Sequence, residues 1–81
     1  MIAYRIELSD RQRARTVTAN DAKKAIEAAC GSRFHSAIHD SDSVRQDGSV
    51  QYSRYQVNVQ TGPTKGGATP VARTWATVYR A

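Results

Sequence analysis

One stretch of the sequence predicts the fold, and it reads Asn20-Asp21-Ala22-Lys23-Lys24-Ala25-Ile26-Glu27-Ala28-Ala29-Cys30-Gly31. Its small apolar residues recur at the i, i+3, i+4, i+7 spacing of one helical face, and they are Ala22, Ala25, Ile26 and Ala29. Asn20 is the expected N-cap, and Gly31 is the expected residue that ends the helix. A helix of about ten residues is not stable alone in water, so the rest of the chain must supply a sheet for it to cover.

The segments around this helix read as strands. Residues 2–8 alternate between apolar and polar side chains, which is typical of a half-buried strand. Further strands are expected over 13–19, 33–39, 51–60 and 71–80. The predicted order is therefore ββαβββ, an α+β fold in which one helix packs on one face of an antiparallel sheet of about five strands. All of residues 1–81 are expected to form a single domain, because so short a chain has room for one small core.

Several details of the strands and their connections follow from the same patterns. Phe34 and Ile38 are expected to face the core from the third strand, and Val57 and Val59 from the fourth. Residues 40–49 are rich in turn formers and contain Asp47-Gly48, a hairpin signal. Residues 61–70 hold both prolines of the chain and three glycines, which predicts a flexible loop.

The charge balance indicates the kind of partner. The chain has 12 Lys and Arg residues against 7 Asp and Glu, a formal net charge of +5 and a pI near 9.9, and nine of its basic residues are arginines. Arginine makes forked, planar contacts with phosphates and carboxylates. The composition therefore predicts an anionic partner, either nucleic acid or the acidic surface of a protein or nucleoprotein complex. The alternative is that the charge serves only solubility.

Cysteine usage and hydropathy indicate the compartment. Cys30 is the single cysteine, so no internal disulfide can form, which fits a reducing environment. No apolar run approaches the length of about 18 residues that a transmembrane helix needs. Arg5 and Glu7 interrupt the N-terminal apolar residues, unlike a signal peptide. We expect a cytoplasmic protein with no membrane partner.

The first candidate site is a basic hairpin. Arg11, Arg13 and Arg15 occupy alternate positions in the hairpin of the first two strands, and Lys23 and Lys24 follow in the first turn of the helix. If these side chains lie close together, they can contact several phosphates at once. The alternative is a basic turn that only interacts with water.

The second candidate site is the face of the sheet away from the helix. If the small residues of strand 71–80 meet the helix, then Trp75 and Arg73 lie on the opposite face together with Arg54. Arg5, Tyr52 and Tyr79 are expected on the same face. Aromatic rings interleaved with arginines are suited to stacking nucleic-acid bases, and equally to a protein interface. The opposite orientation of the strand would bury Trp75 and Tyr79 in the core, and the sequence leaves both orientations open.

The loop over 61–70 supplies the third candidate, Lys65. Gly62 and Gly67 have the spacing of a phosphate-binding loop, but Ala68 stands where that motif requires lysine, and a strand rather than a helix follows. The sequence therefore does not predict a nucleotide-binding loop. A loop that becomes ordered on a partner, with Lys65 at its tip, is the better functional interpretation.

The sequence offers no set of residues for catalysis, a metal or a cofactor. His35 and His39 are expected on one strand face, with Asp40, Asp42 and Asp47 following. No cysteine pair or second histidine cluster completes a metal site, and no nucleophile and base form a recognisable set. We therefore expect a non-enzymatic protein without cofactor or metal. A small enzyme or toxin, such as a nuclease that uses these histidines, is the least favoured hypothesis.

One segment resembles a pattern that is common in small phage proteins, and it reads Thr16-Val17-Thr18-Ala19-Asn20-Asp21-Ala22-Lys23-Lys24-Ala25-Ile26. In size, charge and element order the chain resembles small phage-encoded anti-CRISPR proteins. The resemblance implies an inhibitor that binds a nucleic-acid-handling complex and blocks access to its nucleic-acid channel, in the host cytoplasm. Direct binding of DNA or RNA is the main alternative. An exposed edge of the sheet would also be a natural route to a homodimer.

Overall fold

The computed structural model describes residues 1–80 and confirms the α+β fold with the order ββαβββ. Ala81, the last residue of the expected single domain, lies outside the described residues. The strands are β1 (Ile2–Leu8), β2 (Arg15–Ala19), β3 (Phe34–Val44), β4 (Val50–Gln60) and β5 (Val71–Arg80). The helix α1 spans Ala22–Cys30 and continues into a short 3-10 turn, Gly31–Arg33.

The five strands form one antiparallel sheet in the order β2-β1-β5-β4-β3. The first and last strands of the chain therefore pair at its centre, while β2 and β3 form the two edges. The long β3–β4 and β4–β5 hairpins extend the molecule to 51 × 23 × 21 Å. Within residues 1–80, no helix is long and apolar enough to cross a membrane.

The helix packs on one face of this sheet and closes a small core. Ala25 and Ile26 are 0% exposed, and Ala29 is 1% exposed, against Ile6 and Val57 of the sheet. The alanines let the helix axis approach the strands closely because they have almost no side chain to separate the two layers. Cys30 completes the buried stripe, whereas Ala22, expected within it, is only half-buried.

The two ends of α1 are fixed as a short amphipathic helix requires. The N-cap is Asp21 and not the expected Asn20, because the extended Asp21 backbone lets its carboxylate accept from the Lys24 N–H at 2.8 Å. A carboxylate at this position also interacts favourably with the positive end of the helix dipole. At the other end Gly31 has φ of 67° and its N–H donates to the Glu27 carbonyl, as the sequence predicted.

The edge strand β3 departs from the predicted alternation. Ile38 was expected to face the core but is 64% exposed, while its neighbour Ala37 is 2% exposed. The pairing with β4 shifts register between Phe34 and Ser36, and the extra residue, His35, inverts the faces of the residues that follow. A second shift follows His39, and the strand continues to Val44, so the predicted turn over 40–49 is confined to residues 45–49.

The connection between β4 and β5 is a hydrogen-bonded arm where the sequence predicted a flexible loop. The Thr61 N–H donates to the Pro70 carbonyl at 3.0 Å, and Lys65 and Ala68 exchange two backbone hydrogen bonds of 2.9 Å. Gly66 and Gly67 lie between them with φ of 58° and 79°. Positive φ at both central positions is the geometry of a tight two-residue hairpin turn, which explains the Gly-Gly pair.

Candidate functional site

The alternation of β5 places Trp75 on the side of the sheet that faces away from the helix. Its neighbours Thr74 and Ala76 are buried on the helix side, whereas Trp75 itself is half-buried. Of the two orientations that the sequence left open, the strand adopts the one with its aromatic residues outside the core. We call this side of the sheet the open face. Its arginine and aromatic members are Arg5, Tyr52, Arg54, Arg73, Trp75 and Tyr79.

A row of three side chains crosses the open face from β1 through β5 to β4. Arg5 lies opposite Tyr79 in the strand pairing, and its guanidinium carbon is 4.8 Å from the centre of the Tyr79 ring. On the other side of Tyr79, the Tyr52 ring lies with its centroid 5.6 Å away. The row therefore combines a cation–π contact with an aromatic pair, and both hold these large side chains in defined positions.

A second contact of the same kind surrounds Trp75. The Arg54 guanidinium carbon lies 4.8 Å from the centre of the Trp75 ring. Gln56 is paired with Trp75 across the strands, and Asn58 is paired with Arg73. Hydrogen-bonding amides thus lie beside the ring and the cation, so the face can offer stacking surface, positive charge and polar groups within one area.

The turn between β1 and β2, residues 9–14, is tied to β5 beside Trp75. The Ser9 N–H donates to the Trp75 carbonyl at 2.9 Å, and the Trp75 N–H donates to the Ser9 hydroxyl at 3.0 Å. The same hydroxyl lies 2.8 Å from that of Thr74, which is 3% exposed. Because Ser9 is anchored in this way, Arg11 and Arg13 are held next to the open face.

The basic hairpin and the open face therefore meet in one groove of about 480 Å³. Its walls bring together four arginines and the Trp75 ring: Arg5, Arg11, Arg13, Arg54 and Trp75. Glu7 is the one carboxylate among the lining residues, and it forms an ion pair with Arg5. Four positive charges against one negative charge make the groove an attractive site for an anion.

Arg15 does not join this groove. It starts β2 on the helix side of the sheet, and its guanidinium donates to the Ala29 carbonyl at 3.1 Å. This contact satisfies a carbonyl of the last helical turn and places a cation at the negative end of the helix dipole. The contact with Ala29 also shows that the start of β2 lies beside the end of α1.

The lysines of α1 are likewise separate from the groove. Lys23 and Lys24 are exposed residues of the first turn of α1, and Lys24 Nζ lies 3.7 Å from Glu27 Oε2. Because Arg15 contacts the last turn of α1, the basic hairpin lies beside the end of the helix. The structure therefore does not bring the helix lysines together with the hairpin arginines, which was the condition for a joint site.

The remaining two predicted residues lie outside the groove, one on β5 and one in the connection that precedes it. Arg73 is exposed on the open face, two residues before Trp75. Lys65 is exposed at the two-residue turn of the β4–β5 arm, where it is paired with Ala68. Arg73 thus belongs to the same surface as Trp75, whereas Lys65 lies at the end of a separate projection.

A polar cluster lies on the helix side of β3 and β4. His39 Nε2 is 2.8 Å from Asp42 Oδ1, and the Ser53 hydroxyl donates to the same oxygen at 2.6 Å. These bonds, that of Ser53 first and that of His39 second, lower the pKa of the Asp42 carboxyl. Both groups thus bond to Asp42, whereas an activated nucleophile requires a bond between serine and histidine. Among residues 1–80, no group of three or more His, Cys, Asp or Glu side chains could hold a metal.

Cys30 contributes to the core. Its side chain is buried, and this burial raises the pKa of the thiol. A protonated thiol in an apolar setting is a weak nucleophile. The residue therefore fits the structural role expected of a cysteine on the inner stripe of the helix.

Two residues of the site lie outside the sequence-based prediction. Glu7 lines the groove and forms an ion pair with Arg5, and Ser9 bonds to β5, a long-range contact that is not visible in a local pattern. Comparisons with protein-family models, with curated proteins and with solved structures found no match for this chain. The groove and the adjoining open face are the candidate site.

Proposed function

We propose that this protein is a non-enzymatic, cytoplasmic protein that binds nucleic acid on its open face. The observation that carries the proposal is the groove in which Arg11 and Arg13 lie beside the Trp75 ring and its Arg54 partner. Guanidinium groups bind phosphate oxygens through two parallel hydrogen bonds, and aromatic rings stack on bases. A nucleic acid offers both partners along its length, whereas an isolated phosphate offers only one of them.

The arrangement of charge supports the same ligand. Arg5, Arg54 and Arg73 lie on the open face, and Arg11 and Arg13 continue its charge around the β1–β2 turn. A polyanion that crosses this surface would contact several guanidinium groups at once and release counterions as it binds. Affinity should then fall steeply as the salt concentration rises.

A second candidate is the inhibitor suggested by the resemblance to anti-CRISPR proteins. On this hypothesis the open face binds a nucleic-acid-handling complex in the host cytoplasm and blocks access to its nucleic-acid channel. The observation in its favour is the composition of the face, because Trp, Tyr and Arg are the residues most enriched at the centres of protein interfaces. The arginines would then pair with acidic groups of the complex.

Titration of labelled random-sequence oligonucleotides, followed by fluorescence anisotropy, tests the first proposal. We expect micromolar or tighter binding at about 50 mM salt that weakens by tenfold or more at about 200 mM. Absence of binding to single-stranded and duplex oligonucleotides at the lower salt concentration would overturn nucleic-acid binding. Capture of a nucleoprotein complex by the wild-type protein, lost in an Arg54→Ala/Trp75→Ala variant, would then support the second candidate.

A further inference from the structure

We infer that the open face is built for single-stranded rather than duplex nucleic acid, with bases stacked on its aromatic rings and phosphates held by the arginines of the groove. The inference rests on the proposed function and specifies its ligand. It follows from three features of the face: the accessibility of its rings, their spacing and the position of the β1–β2 turn.

The rings of the open face can be used only by bases that are free to stack. In a duplex the base faces are covered by neighbouring base pairs, and only the base edges are accessible in the grooves. Reading those edges requires a helix or a two-stranded ribbon that enters a major groove about 12 Å wide. Here α1 packs on the opposite side of the sheet, so Trp75 and Tyr79 are presented on the surface of paired strands. Such a surface suits the exposed bases of a single strand.

The rings form two stacking stations along β5. Trp75 with Arg54 is one station, and Tyr79 with Tyr52 and Arg5 is the other. Four residues along a strand span roughly 13 Å, and a stacked strand advances about 3.4 Å per nucleotide. A single strand of about four nucleotides therefore reaches from one station to the other. A base can stack on the ring or on the guanidinium plane that covers it, since both are used in recognition of unpaired bases.

The β1–β2 turn borders the open face on the side of Trp75. Arg11 and Arg13 line the groove next to Trp75, which places two phosphate-binding groups beside the first stacking station. Glu7 lies in the same groove and forms an ion pair with Arg5, so phosphates are expected at the arginines of the turn rather than at this part of β1. The backbone of a bound strand would therefore follow the turn, with its bases directed over the sheet.

Single-stranded and duplex oligonucleotides of equal length and sequence, titrated at the same low salt concentration, distinguish the two ligands. We expect the single strand to bind at least tenfold more tightly and to quench the fluorescence of Trp75, the single tryptophan of the chain. A length series should gain most of its affinity by about four to six nucleotides. Equal or tighter binding of the duplex would overturn the inference while leaving nucleic-acid binding intact. Binding of neither would overturn the proposed function itself.

Ring variants test whether stacking produces the preference. Trp75→Ala should weaken single-strand binding about tenfold and duplex binding less than twofold, whereas Trp75→Phe should keep most of the affinity because it keeps a ring. If Trp75→Ala does not fold, Tyr79→Ser against Tyr79→Phe makes the same comparison at the second station. An equal loss in the ring-keeping and ring-removing variants, or an equal loss for both ligands, would contradict stacking.

Discussion

The two faces of this sheet carry different side chains, although the same strands build both. On β5, Ala76 and Val78 are 0% and 4% exposed under the helix layer, whereas the alternate residues Trp75 and Tyr79 are half-buried on the open face. The helix face is a closely packed apolar layer, in which small residues such as Ala76 lie beside larger ones such as Tyr4 and Ile6. The open face consists of large side chains that contact one another through cation–π and aromatic pairs. From this comparison we expect the first face to provide stability and the second to provide the proposed binding surface.

The strongest way to test this division is to remove one large side chain from the core between the helix and the sheet, and one from the open face. Ile26 is 0% exposed, and Ile26→Ala should cost about 2–5 kcal/mol of unfolding free energy. That is a large part of the roughly 4–12 kcal/mol expected for a domain of this size. Trp75→Ala should cost clearly less, because the ring is already half in water and its backbone bonds to Ser9 remain.

Urea unfolding followed by far-ultraviolet circular dichroism measures both variants without relying on tryptophan fluorescence. The urea concentration at the midpoint of unfolding should fall further for Ile26→Ala than for Trp75→Ala. The slope of the unfolding free energy against urea concentration should be similar in both variants. A Trp75→Ala variant that loses as much stability as Ile26→Ala would mean that Trp75 is a core residue and that the open face is not available for binding.

Two double variants distinguish the effect of the charges in the groove from the effect of the net charge of the protein. Arg11→Ala/Arg13→Ala and Lys23→Ala/Lys24→Ala each remove two positive charges, but only the first pair lines the groove. We expect the arginine variant to lose about tenfold in affinity for single strands and to reduce the salt slope by about 1.4. The lysine variant should change affinity by less than about twofold. Equal losses in anisotropy titrations would show that net charge alone drives binding.

Much of the comparison between the faces was predictable from alternation. In the second half of β4 the apolar residues Tyr55, Val57 and Val59 alternate with polar ones, and in β5 small and large residues largely alternate, so the composition of each face follows once one residue is assigned. In β5 the sequence left that residue open, and the structure assigns it by burying Ala76 on the helix side. The same method failed for Ile38, since the bulge at His35 adds one residue to an edge strand and reverses the faces beyond it.

The groove was less predictable than the faces it borders. Arg11 and Arg13 could be grouped with Arg54 and Trp75 only by knowing that the β1–β2 turn is bonded to β5, more than 60 residues later in the chain. Ser9 provides that bond, and serine in a turn has many local uses. The sequence therefore indicates which residues are available for binding, whereas the pairing of β1 with β5 determines which of them act together.

Arg15 provides a third test, because the structure places it apart from Arg11 and Arg13, with which the sequence grouped it. Its bond to the Ala29 carbonyl predicts that Arg15→Ala lowers the unfolding free energy by about 0.5–1.5 kcal/mol, through a lost hydrogen bond and a lost charge at the helix end. Affinity for oligonucleotides should change little, unlike in the Arg11→Ala/Arg13→Ala variant. Denaturation and anisotropy titration of the same protein sample measure both. A large loss of affinity with unchanged stability would mean that Arg15 belongs to the binding site.

The smallest expected effect concerns the polar part of the helix face, where His39, Asp42 and Ser53 contact one another. The pKa of the Asp42 carboxyl is lowered from its ordinary value of 3.8, first by the Ser53 hydroxyl and then by His39. A carboxyl whose pKa is lower in the folded state contributes stability that is present above about pH 4 and is lost as the pH falls through the folded-state pKa.

Thermal melts between about pH 6 and pH 2 should therefore show a smaller fall in Tm for Asp42→Asn than for the wild type, with the difference confined to the region below about pH 4. Ser53→Ala should give an intermediate curve, because it removes the first of the two hydrogen bonds. Ser43→Ala is the control on β3, the strand that carries Asp42, since the Ser43 hydroxyl is not among the groups that lower the pKa of Asp42. If Tm falls equally for the wild type and Asp42→Asn below about pH 4, water screens the interactions of the Asp42 carboxylate fully. The contribution of the helix face to stability would then come from its apolar residues alone.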